Sequence, residues 1–157
     1  MAWGKLGSVT LGSAGDNLSS GIITASKFLC VPYYREASDV IGGVAQFNDD
    51  TGSNYAVRYS NNGLGDSAYG SQSHIELRYK TTNTFGMMYI INDTSEEKLV
   101  IMHEMYEDGS GAANDPSRTE RVGKWANTSA QITEIDINND QAGDFDTNSN
   151  ITVIGSD

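Results

Sequence analysis

The feature that most constrains this chain is its rhythm. Short apolar runs recur every eight to twelve residues or so, separated by clusters of Asn, Asp, Ser, Thr and Gly. Such clusters favour turns for a physical reason, since Gly tolerates positive φ while Asn and Asp side chains bond to their own backbone. The segments that read as strands are Lys5–Leu11, Leu18–Thr24, Lys27–Tyr34, Gly43–Phe47, Tyr55–Ser60, Gln72–Tyr79, Phe85–Ile91, Lys98–Tyr106, Arg118–Trp125, Gln131–Ile137 and Ile151–Ile154. No window carries a convincing helical period. Short strands at this spacing predict an all-β antiparallel sandwich or barrel. With 157 residues, the chain fits one domain, 1–157, that can bury a real core. The flexible-looking stretch Asp108–Pro116 is too short to join two domains.

Several strands alternate. Ile75, Leu77 and Tyr79 fall on one face against His74, Glu76 and Arg78, and Thr133, Ile135 and Ile137 oppose Glu134 and Asp136. Two strands are apolar on both faces. In Leu99–Tyr106 the sets are Leu99, Ile101 and Met105 against Val100, Met102 and Tyr106, and Phe85–Ile91 behaves likewise. A sandwich strand needs only one apolar face, so the second requires either a covering loop or a subunit interface. The pattern leaves both open.

Charge and cysteine content exclude several functions. The formal net charge is −11, and a surface that acidic repels nucleic acid and anionic membranes, so neither is expected as a partner. No apolar run reaches the length of a membrane span, and Met1–Lys5 leads into no secretory signal core, which predicts synthesis in the cytoplasm and any surface role by assembly. The single cysteine, Cys30, lies in the apolar run Phe28–Val31 and is expected to be a small buried hydrophobe.

Candidate chemistry is sparse. His74 and His103 both fall inside expected strands, and His103 and Glu104 are neighbours that a strand points to opposite faces. Gly65-Asp66-Ser67-Ala68 superficially matches a serine-protease run but has no loop histidine to serve it, and reads as a polar loop. No nucleophile elbow, phosphate loop or zinc spacing is present. In the acidic segment 136–148, Asp136, Asn138 and Asp140 imitate the start of a calcium loop. Gln141 stands where the turn glycine belongs, however, and Thr147 where the bidentate glutamate belongs, which excludes an ordinary EF-hand. The residues therefore assign no catalytic site, no cofactor and no metal requirement. Tyr33, Tyr34, Tyr55, Tyr59, Tyr69 and Trp125 are available for a sugar-stacking platform, although such rings are more often core.

Three segments carry a family resemblance. These are Phe47-Asn48-Asp49-Asp50-Thr51-Gly52-Ser53-Asn54-Tyr55, the run from Gly123 through Trp125, Thr128 and Ser129 to Thr133, and the closing stretch from Gly143 through Phe145 to Gly155. In order and spacing they resemble jelly-roll virion structural proteins of tailed bacteriophages, from near Lys5 to the C-terminus, with Ile154 where that class usually has Tyr. The resemblance implies a jelly-roll fold and a non-enzymatic role on the virion surface, as a capsid decoration or a tail-fibre subunit. It also implies other virion proteins as partners and a homo-oligomer, a trimer. Phe47, Tyr55, Trp125 and Phe145 then read as framework anchors. A carbohydrate-binding adhesin of a tail fibre, docking a host surface glycan, is the alternative on the same fold. A depolymerase is disfavoured, because no paired carboxylates can be argued from strand positions. The chain starts directly on its first expected strand, which favours a self-contained module.

Overall fold

In the computed structural model, which describes residues 2–37, 39–107 and 109–157, the chain is all-β, with no helix among the described residues. Twelve strands follow in order: β1 (Gly4–Thr10), β2 (Asn17–Ser19), β3 (Phe28–Arg35), β4 (Val44–Phe47), β5 (Tyr55–Asn61), β6 (Ser67–Gln72), β7 (Ile75–Glu76), β8 (Thr84–Ile91), β9 (Lys98–Tyr106), β10 (Ser117–Trp125), β11 (Ile135–Asn138) and β12 (Asn150–Ser156). They form a broad sheet in the order β1-β12-β3-β8-β9-β10-β5-β6 and a small one in the order β2-β11-β4-β7. Every strand pairing is antiparallel.

The core lies between the two sheets and is built by strict alternation. In β9, Val100, Met102, Glu104 and Tyr106 face inward while Leu99, Ile101, His103 and Met105 face outward. From the small sheet, Leu18, Ala45, Phe47, Ile75, Ile135 and Ile137 meet that inner face. Phe47, Tyr55, Trp125 and Phe145, expected as anchors, are all fully buried. Gly86 in β8 is required by close approach: Tyr33, its register partner on β3, lays its ring where a side chain at this position would stand.

Several expected boundaries shift. Of the segment Gln72–Tyr79, Gln72 closes β6 and only Ile75–Glu76 forms a further strand, and Tyr79 does not join Ile75 and Leu77 in the core but is half exposed. Beyond Glu76 the chain leaves the ladder, bonding Leu77 N to Gly43 O and then pairing Lys80 with Ile41. Leu18–Thr24 is paired only over Asn17–Ser19, and Gln131–Ile137 only from Ile135. Residues 131–134 are held by two isolated backbone bonds, from Ile23 N to Thr133 O and from Asn48 N to Glu134 O, and by the Asn48 side chain, which accepts from the Thr133 and Glu134 amides at 2.8 and 3.0 Å and donates to Gln131 O at 2.8 Å. Ser67 and Ala68, expected in a loop, open strand β6. Asp136, expected on a solvent face, is 6% exposed. Cys30 is half-buried, its Sγ 3.5 Å from Met87 Sδ, and burial pushes its thiol pKa up. Of the stretch Asp108–Pro116, Asp108 lies outside the described residues.

Candidate docking face

The two strands that read as apolar on both faces sit side by side at the centre of the broad sheet. Register pairs their outward side chains into a ladder: Ile91 with Leu99, Tyr89 with Ile101, Met87 with His103, and Phe85 with Met105. On one side β3 adds Phe28, opposite Ile91, and Cys30, opposite Tyr89. On the other, β10 adds Val122 opposite Ile101. Among the described residues no loop covers the centre of this ladder, and only the 109–116 loop borders its Phe85–Met105 end. Leu99, Ile101 and Met105 are 55%, 53% and 54% exposed, and Phe28, Phe85, Tyr89, Ile91 and Val122 are exposed as well.

The sheet curls enough that residues near its two edges line one hollow. Trp3, just before β1, and Tyr69, on β6, border a trough of about 890 Å³ whose floor includes Tyr89, Ile101 and Val122. Half of ~200 Å² for each of the aromatic side chains Trp3, Phe28, Phe85 and Tyr89 alone comes to on the order of 400 Å². With the exposed Ile91, Leu99, Ile101, Met105 and Val122 added, the face exceeds the largest apolar patch of an ordinary monomer, about 300–600 Å². Charges near this face come in balanced pairs: Arg58 with Asp66 at 3.4 Å, Arg118 with Glu120 at 3.7 Å, and Lys124 with Glu97 at 2.7 Å.

Directly beneath, on the inner side of the same sheet, lies a buried ionic cluster that composition could not announce. Glu104 accepts from Arg35 at 2.7 Å through one carboxylate oxygen and from Arg121 at 2.5 Å through the other, and all three side chains are essentially inaccessible. Arg35 also donates to Gly42 O at 2.7 Å and Arg78 O at 3.1 Å, and the Arg78 amide donates to Glu104 at 2.9 Å. Gly42 and Arg78 flank strands of the small sheet, so the cluster ties the two layers together beneath the ladder. Burial, reinforced by the Glu104 charge, raises the pKa of the neighbouring Tyr33 phenol well above its usual value. The signal available in sequence was a charged residue on the core face of an alternating strand, as at Glu104 in β9 and Arg121 in β10.

The other sequence candidates scatter. His103 is exposed on the outer face and Glu104 buried on the inner one, as strand geometry requires. His74 is half-buried and hydrogen-bonded to Ser73 at 3.1 Å, with no carboxylate beside it. Of the six rings considered for a sugar platform, Tyr33, Tyr55 and Trp125 are core. Only Tyr59 and Tyr69 remain together, stacked 6.1 Å apart toward the β6 edge.

The Trp125 indole N–H donates to the Asp50 carboxylate at 2.6 Å. Asp50 also accepts from Asn54 and from the Gly52 amide, closing the turn between β4 and β5. Burial alone would raise the Asp50 pKa, but the bonds from Trp125, Asn54 and Gly52 outweigh it and hold the carboxyl below its ordinary range. A depressed folded-state pKa stabilises fully above the unfolded value, and the contribution is lost as pH falls through the folded one. Asp50→Asn is therefore expected to flatten the acid limb of the melting temperature against pH, measured by calorimetry.

No family model matches the chain, and no curated protein does. Among solved structures, it is similar over 94% of its length to 66% of a scytalido-glutamic peptidase bound to a peptide-based transition state analogue, at 9% identity and a TM-score of 0.26. It aligns over the full length of both chains with FLHE at 11% identity and a TM-score of 0.21. It aligns over 88% of its length with 24% of the Clostridium perfringens CspB protease, at 10% identity and a TM-score of 0.19. Likenesses of this size bear on neither fold nor function.

Proposed function

We propose that this chain is a non-enzymatic structural protein on the surface of a bacteriophage virion, a capsid decoration or fibre subunit. Its broad sheet docks a second copy of the chain, and the assembled oligomer binds other virion proteins. The observation that carries the reading is the uncovered apolar face of β8, β9 and β10. An exposed apolar face of this extent is of the order of the ~800 Å² that one partner brings to a standard interface. A second copy suits the electrostatics: at −11 the chain repels itself over most of its surface, whereas the charges near this face are paired and neutral in sum. A trough takes a convex occupant, so the contact between copies runs head to tail, the kind that closes into a ring. Three copies is the number implied by the resemblance to phage virion proteins.

The strand order supports a jelly roll. If the hairpins β5-β6 and β9-β10 are set aside and the other eight strands renumbered in sequence, the sheets read 1-8-3-6 and 2-7-4-5, two interlocked Greek keys. The two hairpins then extend one sheet, and they supply Val122, Leu99, Ile101 and Tyr69 to the trough. On this reading the additions to the ordinary fold build the docking face. Density for this chain in a map of the intact particle tests the proposal. The outer face of the broad sheet is expected against a neighbouring subunit; density with that face open to solvent, or no density on the particle at all, would overturn it.

A further inference from the structure

The expectation of no metal site rested on the broken calcium-loop spacing that follows Asp136. The fold assembles a different set of oxygens, from segments more than eighty residues apart. Asp136 sits on the outward side of β11, between Ser19 of β2 and Gln46 of β4. Glu134, two residues earlier, is fixed by the Asn48 clamp, and Asp49 follows Asn48 directly in the turn after β4. One carboxylate oxygen from each of Asp49, Glu134 and Asp136 lies within 4.8 Å of the others.

The second observation is at Asp136 itself. The residue is 6% exposed, and its Oδ2 is buried with no hydrogen-bond partner. Its Oδ1 has only the Asn17 amide, at 3.5 Å. None of the ion pairs among the described residues involves Asp49, Glu134 or Asp136. A buried carboxylate oxygen without a donor is strongly unfavourable, and two further carboxylates beside it add repulsion. A bound cation removes both costs at once.

We propose that Asp49, Glu134 and Asp136 form a binding site for a hard divalent cation, calcium. The donors are all oxygen, with no imidazole or thiolate to favour a transition metal. Calcium–oxygen distances of about 2.4 Å place ligands on opposite sides of the ion about 4.8 Å apart, which the observed spacing accommodates. The set mixes an exposed turn residue with a buried strand residue and leaves one side open to water. That suits the irregular coordination of calcium better than the strict octahedron of magnesium. The ion would clamp the turn that carries Asp50, the partner of Trp125, onto the central strand of the small sheet.

The test is the melting temperature of the full chain, stripped with chelator and then titrated with calcium chloride, magnesium chloride, or sodium chloride at matched ionic strength. Calcium is expected to raise it progressively, and more than magnesium does. Asp136→Asn is expected to abolish the rise and to weaken calcium binding in isothermal titration by about tenfold or more, since affinity follows the ligand charge. Should that variant not fold, Asp49→Asn carries the same test, because Asp49 is an exposed turn residue with φ of 56°, a conformation asparagine adopts readily. A melting temperature indifferent to calcium would overturn the proposal, as would a rise that survives in both variants or is matched by sodium. A larger rise with magnesium would overturn the choice of ion.

Discussion

Glu104→Ala is expected to cost this domain about 3–5 kcal/mol, the usual loss when one partner of a buried ion pair is removed. Against a total stability of about 5–15 kcal/mol, that leaves a marginal fold. The reason is specific to the arrangement: the single Glu104 carboxylate bridges Arg35 and Arg121, whose side chains are out of water, and without it two like charges share one dry space with no counter-charge. Chemical denaturation measures the loss. Replacing the whole cluster tests the same physics from the other side. Arg35→Met, Glu104→Leu and Arg121→Met together are expected to be far milder than Glu104→Ala alone, because no orphaned charge remains. A loss under ~1 kcal/mol for Glu104→Ala would mean that water reaches the arginines, and the cluster would not be the tie between layers described above.

Trp125→Ala is expected to have an effect of the same size, about 3–5 kcal/mol, the range for deleting a core aromatic. The ring packs against Phe47 at 6.1 Å and Tyr55 at 6.5 Å, and its indole N–H is the anchor for Asp50. Trp125→Phe separates the two contributions. It keeps most of the buried surface but removes the charge-assisted hydrogen bond, for about 1.5–3 kcal/mol. If Trp125 were a sugar platform, the alanine variant would melt normally and lose glycan binding; its burial argues for the opposite result.

Much of this was readable in the sequence, and the rest was hidden for identifiable reasons. Apolar runs between turn clusters located β8, β9 and β10, and strand geometry placed His103 and Glu104 on opposite faces, because side-chain direction in a strand follows from position alone. The double-sided apolar pattern of Leu99–Tyr106 raised the question of what covers the second face, and among the described residues its centre at Leu99 and Ile101 is left exposed. Tyr79 was misplaced because alternation continues in the letters after Glu76 while the backbone turns aside to pair Lys80 with Ile41. Asp136 stands opposite Ile135 and Ile137, on the face that alternation alone gives to solvent, yet it is 6% exposed. One carboxylate oxygen of Asp49, from the turn after β4, lies within 4.8 Å of one of Asp136, a long-range contact that no local period encodes. For the same reason the trio of Asp49, Glu134 and Asp136 escaped any motif of fixed spacing.

The most direct test of the docking face is the mass in solution, by light scattering at micromolar concentration, of the wild-type chain beside Ile101→Glu. Ile101 lies at the centre of the ladder, half exposed, and contributes nothing to the inner core, so the variant should keep its circular dichroism and melting behaviour. The wild type is expected to be an oligomer, three copies by the family resemblance, and the variant a folded monomer. A wild-type chain that runs only as a monomer, or a variant that assembles as readily as the wild type, would contradict it.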